Sequence, residues 1–448
     1  MPKELFGTDG IRGVPGEFPL DDRTLFWIGR TLGEYLCESE ASPRVLMGMD
    51  TRESGPHLVG KIAAGLQSAG AAATPFAGVI STPGVACLVR QKAFSAGVVI
   101  SASHNPFHDN GVKLFSSAGI KFPDEIEERL EREIDKHKAR DAAGGKVSLR
   151  VDASLDEDYL AFLRSRTIPG AKIAGMKLVL DCANGAASRL APALFRSLGA
   201  DVVAIHNQPD GRNINAGCGS LHPESLQQKV LETRAAFGAA FDGDADRAVF
   251  VSGSGKLING DGILLAVARH LKATGELKGT RVVGTTMANL GLERALAAEG
   301  LTLTRVPVGD RYVLEEMLRS GSNLGGEQAG HIIFLDDSPA GDGLLTALKL
   351  ASLISLRGPL DELVEGLKVF PQTILNVKVR AKPPLELLPQ VAHVLTEATR
   401  ALGDSGRIVL RYSGTEPLAR VMVEAERAED VERWSKAIAA AIQSSLGV

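Results

Sequence analysis

A strand, a polar loop, an amphipathic helix and a second strand recur three times along this chain, and the repeat limits the fold more than any other feature. The first copy starts with RVLMGMDTR (residues 44–52) and reaches Gly70 before AAATPF. The second is KLVLDCANG (177–185), reaching Gly199 before ADVVAIH, and the third is RVVGTTMANLG (281–291), reaching Gly300 before LTLTRVPVG. A strand, helix and strand in this order make a βαβ unit with parallel strands. Three units predict three related α/β domains, with three units of one large sheet as the alternative. The last segment breaks the pattern. ILNVKVR (374–380) alternates apolar and polar residues, a helix spans roughly 385–402, RIVLRYS and ARVMVEAE follow as strands, and 428–445 closes as a helix. That order predicts a small α+β domain on an antiparallel sheet.

The chain of 448 residues has room for two to four domains. A charged helix, PDEIEERLEREIDKHKAR (123–140), ends in DAAGGKVS, which reads as a linker near 141–155. VSGSGKLING (251–260) reads as a hairpin turn beside a second junction, and GLKVFPQT (366–373) as a third. The expected domains are therefore 1–152, 153–254, 255–368 and 369–448.

Several function classes are left without support. The net charge is −4 with no long basic run, so neither nucleic acid nor a membrane surface is an expected partner. No apolar stretch approaches the roughly 20 residues of a membrane span, and MPKELFGTDG lacks the basic and then apolar run of a signal peptide. The four cysteines, Cys37, Cys87, Cys182 and Cys218, are scattered and form no CxxC, which suits reduced thiols in a cytoplasm. GxxxxGK[ST], GxSxG and HExxH are all missing.

Chemistry concentrates in a few loops. ISASHNPFHDNGVK (100–113) follows the apolar strand AGVVI and places Ser101, Ser103, His104, Asn105 and Pro106 just past a strand end, where parallel α/β sheets bind ligands. A serine there can act as a nucleophile, although the same residues also suit a polar turn. FDGDADR (241–247) spaces Asp242, Asp244 and Asp246 by two, which in extended backbone puts all three on one side. Three hard oxygen donors suit Mg2+. An EF-hand loop would need Gly and Glu where Arg247 and Gly253 stand. RYSGTEPLAR (411–420) offers two hydroxyls, a flexible Gly and an arginine at each end, a set suited to phosphate. GGEQAGHIIF (325–334) holds Glu327 and His331 in a Gly-rich turn, FGTDGIRG (6–13) holds Arg12, and VGDRYV (308–313) presents Asp310 and Arg311.

Taken together, GTDGIRG, SASHNP, DGDADR, GEQAGH and SGTEP resemble the α-D-phosphohexomutase family, in its order and over nearly the whole chain. The resemblance implies three similar α/β domains with mixed sheets plus a smaller C-terminal α+β domain, around a central active-site cleft. It makes Ser103 the residue that carries the transferring phosphoryl group and, with Asp242, Asp244 and Asp246, a ligand of Mg2+. Arg12, His104, Lys113 and Arg247 match catalytic positions around that serine, with His331 a further catalytic candidate. Glu327 matches the sugar-binding loop. Arg411, Ser413, Gly414, Thr415 and Arg420 match the loop gripping the phosphate that is not transferred. The spelling GEQ, with FGTDGIRG, is similar to the branch acting on amino sugars, which implies a hexosamine phosphate as substrate, a sugar 1,6-bisphosphate as activator and a homodimer. Relatives acting on glucose or mannose phosphates usually read GEMSGH. Ala329 stands where a serine is common and removes one hydroxyl from the loop. A phosphatase and a non-catalytic phosphosugar-binding protein are the alternatives from other classes.

Overall fold

The computed structural model describes residues 5–7, 9–71, 74–137, 147–413 and 417–447. Their contacts divide into two compact units, residues 1–285 with 306–365, and residues 286–305 with 366–448.

Two mixed sheets of the first unit carry out one plan twice. β1 (Ile11–Gly13), β2 (Val45–Met49), β3 (Phe76–Val79), β4 (Ala96–Ile100) and β5 (Asn110–Ser116) stand in the order β1-β5-β4-β2-β3. β2 runs parallel to β3 and β4, β5 returns antiparallel to β4, and β1 is antiparallel to β5. β6 (Lys177–Asp181), β7 (Asp201–Ile205), β8 (Phe237–Phe241), β9 (Ala248–Ser252) and β10 (Leu257–Ile258) stand in the order β10-β9-β8-β6-β7. Reading β6 for β2, β7 for β3, β8 for β4, β9 for β5 and β10 for β1 makes the two sheets identical in order and direction. The third repeat begins with β11 (Arg281–Thr285) and, after β12 (Thr302–Val306), continues with β13 (Leu324–Gly326) parallel to β11 and β14 (Ile332–Phe334) antiparallel to β13.

The antiparallel return strand therefore follows the same strand each time. The connections 101–109, 242–247 and 327–331 occupy one topological position in three copies. These are three of the chemistry-bearing loops of the sequence. Burial explains why both the outgoing and the return strand are short apolar runs: β4, β8, β9 and β14 are buried along their whole length. The expected turn near 251–260 is the β9–β10 hairpin, closed by Gly255 N–H donating to the Ser252 carbonyl at 2.8 Å. The charged helix runs from Asp124 to Lys136; the last residues expected in it, 138–140, and the first part of the expected linker, 141–146, lie outside the described residues. No helix among the described residues is long and apolar enough to cross a membrane.

The second unit is an antiparallel sheet of β15 (Gln372–Lys378), β17 (Leu418–Ala425) and β16 (Gly406–Tyr412), with β17 in the centre. Val421, Val423 and Ala425 of β17 pack with Trp434, Ile438 and Ile442 of the helix Ala428–Leu446. Helix Leu290–Ala298 belongs here because the fully buried Glu424 carboxylate accepts its first N–H, Leu290, at 2.8 Å. The negative charge at that N-terminus is favourable, and the Arg407 guanidinium pairs with the other oxygen at 2.5 Å. Glu424→Ala leaves Arg407 without its buried partner and is expected to cost about 3–5 kcal/mol. Chemical denaturation checks this, and a loss under about 1 kcal/mol would assign the cohesion of the unit to its apolar core alone.

Candidate active site

Strand β4 delivers Ser103 to its position, and a buried frame holds it there. Ser103 is fully buried and its backbone is left-handed at φ 52°, an uncommon conformation for a residue with a side chain. Three contacts fix the conformation. The Ser103 N–H donates to Ser101 Oγ at 3.0 Å, and Ser101 Oγ donates to Asp50 at 2.5 Å. Asp50 pairs with the buried Arg52, whose guanidinium donates to the carbonyls of Ser103 (3.3 Å) and Asn105 (2.6 Å). The Asn215 amide donates to the same two carbonyls at 2.9 and 3.0 Å. With the backbone held from behind, Ser103 Oγ is presented to Asp242 and donates to its Oδ2 at 2.6 Å.

Asp242, Asp244 and Asp246 converge, each buried, with one carboxylate oxygen from each within 4.8 Å of the others. The route differs from the extended backbone inferred from the spacing of two. The loop is a tight turn, with Ala245 left-handed at φ 57° and its N–H donating to the Asp242 carbonyl at 3.1 Å. The Ala245 carbonyl then accepts from Gly343 N–H at 3.0 Å. Turning the chain back on itself does what alternation would have done in a strand. Asp244 is further held by Ser81-capped helix Thr82–Gln91: Thr82 donates its N–H to the Asp244 carbonyl (3.0 Å) and its Oγ1 to the carboxylate (2.5 Å). A helix N-terminus favours that charge.

Cations only partly offset this acidic centre. Lys113 Nζ lies 2.9 Å from Asp244, 3.3 Å from Asp246 and 3.1 Å from Asp9. Burial opposes charge on Asp246, but Lys113, His331 and Arg247 outweigh it and hold this carboxyl well below the usual carboxylate range. Asp242 goes the other way, pushed well up by burial and then by Asp246 and Asp244. Burial disfavours the Lys113 ammonium, yet Asp244, Asp9 and Asp246 dominate and raise its pKa, so it stays a cation. Asp244 Oδ1 and Asp246 Oδ1 are buried and accept no hydrogen bond. Buried, unsatisfied carboxylate oxygens beside a third carboxylate are a suitable donor set for a hard dication.

His104 and Arg247 border the serine. His104 Nδ1 is 3.3 Å from Ser103 Oγ and 3.4 Å from Arg247 Nη1. Burial, then Arg247 and Arg12, push its pKa down to about 4, so the ring is neutral at pH 7, and the Arg247 guanidinium, which only donates, makes Nδ1 an acceptor. Arg247 also donates its N–H to Asp242 Oδ1 at 3.2 Å. Arg12 reaches Asn105 (3.2 Å) and Asp9 (2.6 Å). Lys121 bridges Asp9 (2.6 Å) and Asp310 (2.8 Å), so Asp9 collects Arg12, Lys113 and Lys121.

In the third loop His331 Nδ1 lies 3.9 Å from Asp246, while Nε2 accepts from Gly341 N–H at 3.1 Å. Against burial, the carboxylates of Asp246, Asp310 and Glu327 raise the ring's pKa, whereas the Gly341 N–H opposes a second proton. Glu327 accepts from Gly309 N–H at 3.2 Å. A Cβ on Gly341 would come within 2.3 Å of the His331 ring. Gly341→Ala is thus expected to displace the imidazole and lower kcat roughly 100-fold, at an overpacking cost of about 1–3 kcal/mol. Steady-state kinetics beside a melting curve check it, and unchanged kcat would show that the ring's position is immaterial.

The second unit holds the remaining candidates. Arg411 on β16 and Arg420 on β17 stand directly opposite each other in the ladder. Like charges in register are unfavourable unless an anion lies between them. Burial and then Arg420 lower the pKa of Arg411. Ser413 is buried, its N–H donating to the Leu418 carbonyl at 2.8 Å and its carbonyl accepting from Lys382 at 2.7 Å. Gly414 and Thr415 lie outside the described residues.

Sequence reasoning missed Asp9, Asp50, Arg52, Thr82, Lys121 and Asn215 as parts of this site. Asp50 and Arg52 stood just past the end of β2, where the strand-end rule applied to Ser103 would have found them.

Profiles of the phosphoglucomutase/phosphomannomutase family match this chain in four stretches: α/β/α domain I at 3–141, domain II at 157–255, domain III at 259–370 and the C-terminal domain at 374–441. The chain belongs to the phosphoglucomutase/phosphomannomutase family. It is 52% identical, over the full length of both chains, to a phosphoglucosamine mutase of Solibacter usitatus (strain Ellin6076). Among solved structures, a phosphoglucomutase/phosphomannomutase family protein of Burkholderia thailandensis is 26% identical with a TM-score of 0.79, each chain 99% covered. The N-acetylphosphoglucosamine mutase of Aspergillus fumigatus, solved with GlcNAc-6P and magnesium, shares the fold at 17% identity and a TM-score of 0.70, covering 99% of this chain and 96% of its own.

Proposed function

We propose that this chain interconverts glucosamine 6-phosphate and glucosamine 1-phosphate through a phosphorylated Ser103 and a bound 1,6-bisphosphate. The observation that carries the reading is Ser103 Oγ, held 2.6 Å from the first carboxylate of a convergent aspartate trio. The full-length identity to a phosphoglucosamine mutase supports the substrate, and the five loops support the reaction. Asp242, Asp244 and Asp246 would hold Mg2+, which supplies positive charge opposite the phosphoryl oxygens.

The chain's own residues do the rest. The P–O bond to Ser103 Oγ breaks, one forms to the sugar 1-hydroxyl, the hydroxyl proton leaves, and Ser103 Oγ regains a proton. His104, neutral and 3.3 Å from Ser103 Oγ, is the best-placed acceptor, because Lys113 is held as a cation by its carboxylates. Lys113, Arg12 and Arg247 instead offset charge on the phosphoryl group in a water-poor site. The bisphosphate then turns, and Ser103 Oγ takes the phosphoryl group from the 6-oxygen, whose P–O bond breaks and which gains the proton that the serine hydroxyl gives up, restoring the phosphoenzyme. Arg411, Ser413, Gly414, Thr415 and Arg420 would grip the phosphate that is not reacting, and Glu327 would accept sugar hydroxyls. His331 would orient the sugar through Asp246. A sugar 1,6-bisphosphate would activate the enzyme by phosphorylating Ser103. A cytoplasmic homodimer with no nucleic-acid or membrane partner completes the proposal.

The test is the initial rate of 1-phosphate formation from glucosamine, glucose and mannose 6-phosphates with Mg2+ and a trace of sugar 1,6-bisphosphate. The amino sugar should be turned over fastest. Preference for glucose or mannose would move the enzyme to another branch of its family. Free phosphate without 1-phosphate would make it a phosphatase.

A further inference from the structure

We propose that Asp181, His206 and Cys218 form a second cation site, for a borderline or soft divalent ion such as Zn2+, separate from the aspartate trio. Asp181 ends β6, His206 follows the end of the neighbouring parallel strand β7, and Cys218 lies on the segment leading to the turn Gly219–Leu221. One donor atom from each falls within 4.8 Å of the other two.

The orientation of each donor suits a shared cation. Asp181 is fully buried and both its oxygens are oriented by backbone donors, Ala183 N–H at 2.9 Å and Gly219 N–H at 3.0 Å. Outer donors of this kind fix a ligating carboxylate while leaving lone pairs free. His206 Nδ1 is shielded from solvent and lies at ion-pair distance, 3.1 Å, from Asp181 Oδ2, without the alignment of a hydrogen bond. A misaligned imidazole nitrogen and carboxylate oxygen pair with each other when the ring is protonated, and can both turn lone pairs to a shared cation when it is neutral. Cys218 is 1% exposed, and the Asn184 amide at 3.9 Å is the hydrogen-bond partner of its sulfur.

The donor set decides the ion. Mg2+ takes oxygen ligands and prefers octahedral geometry, whereas thiolate, imidazole and carboxylate together suit tetrahedral Zn2+. Three protein ligands leave the fourth position to water, and the His206 side chain, 32% exposed, opens that side to solvent. The site lies behind the nucleophile loop, not in it. Asn215, three residues before Cys218, is the residue whose amide holds the carbonyls of Ser103 and Asn105.

The test titrates Co2+, a spectroscopic stand-in for Zn2+, into the full chain in excess Mg2+. One equivalent should develop thiolate-to-cobalt charge-transfer absorption, and Zn2+ should bleach it. Cys218→Ser should lose the band, and His206→Gln should weaken Co2+ binding about tenfold or more. Both variants should keep Mg2+-dependent turnover, which reports that they fold. Asp244→Asn and Cys182→Ser should keep the band. Its absence from the wild-type chain, its survival in Cys218→Ser, or its loss in Cys182→Ser or Asp244→Asn would each overturn the proposal.

Discussion

Ser103→Ala is expected to reduce mutase turnover by on the order of 10⁴-fold or more, with the fold intact. The contacts that hold the loop use the backbone of Ser103: its N–H bonds Ser101, and its carbonyl accepts from Arg52 and Asn215. None of them involves Oγ, so alanine should occupy the same left-handed position. What disappears is the donor to Asp242, a buried hydrogen bond whose loss costs about 1–3 kcal/mol, softened because Arg247 N–H still bonds that carboxyl. Intact mass after incubation with a sugar 1,6-bisphosphate gives an independent readout. The wild-type chain should gain one phosphoryl group and the variant none. Turnover within about tenfold of wild type, less than the usual cost of losing a nucleophile, would sink the covalent mechanism.

Asp244→Asn should be nearly as damaging, for a different reason. One Asp244 oxygen accepts from Thr82 and Lys113, and the other is buried without a partner. Asparagine can keep its carbonyl oxygen on the first pair, which turns its NH2 toward the place where a cation would sit. An amide nitrogen does not ligate Mg2+, so the half-saturating Mg2+ concentration should rise about 100-fold or more and maximal turnover should fall. Stability separates this from a folding defect. Removing one of three mutually repelling carboxylates relieves like-charge repulsion, which offsets the lost partner of Lys113, still paired with Asp246 and Asp9, so the metal-free variant should melt close to wild type while losing most of the Mg2+-induced upward shift. An unchanged Mg2+ titration would remove Asp244 from the metal site.

What was legible in the sequence follows from what is contiguous in it. Ser103 with His104, and Asp242 through Arg247, are short motifs whose residues serve one place, and the three-fold repeat exposed β2, β6 and β11 with their helices. The return strands β5, β9 and β14 were harder to read. Buried strands of three to seven residues lack the alternation that marks a half-exposed strand. The supporting frame was hidden for another reason. Arg52 lies 51 residues from Ser103, Asn215 lies 112 away, and Thr82 lies 162 from Asp244, so only the folded sheets join them. The turn through Ala245 was also out of reach, because alanine carries no local preference for a left-handed backbone.

The three loops that carry the serine, the aspartates and the Glu327–His331 pair all follow the same strand of the repeat. Such an arrangement separates address from content. The sheet specifies where a hairpin tip is delivered, and each copy is free to write different chemistry there. Ser103 and Asp242 are delivered by β4 and β8, so a respelling of the 327–331 tip that keeps Gly330 against Ala248 and His331 beside Asp246 leaves their delivery in place. On the proposed function, a chain built this way would change which sugar it accepts by editing the 327–331 copy while the copies that carry Ser103 and the aspartates stay in place.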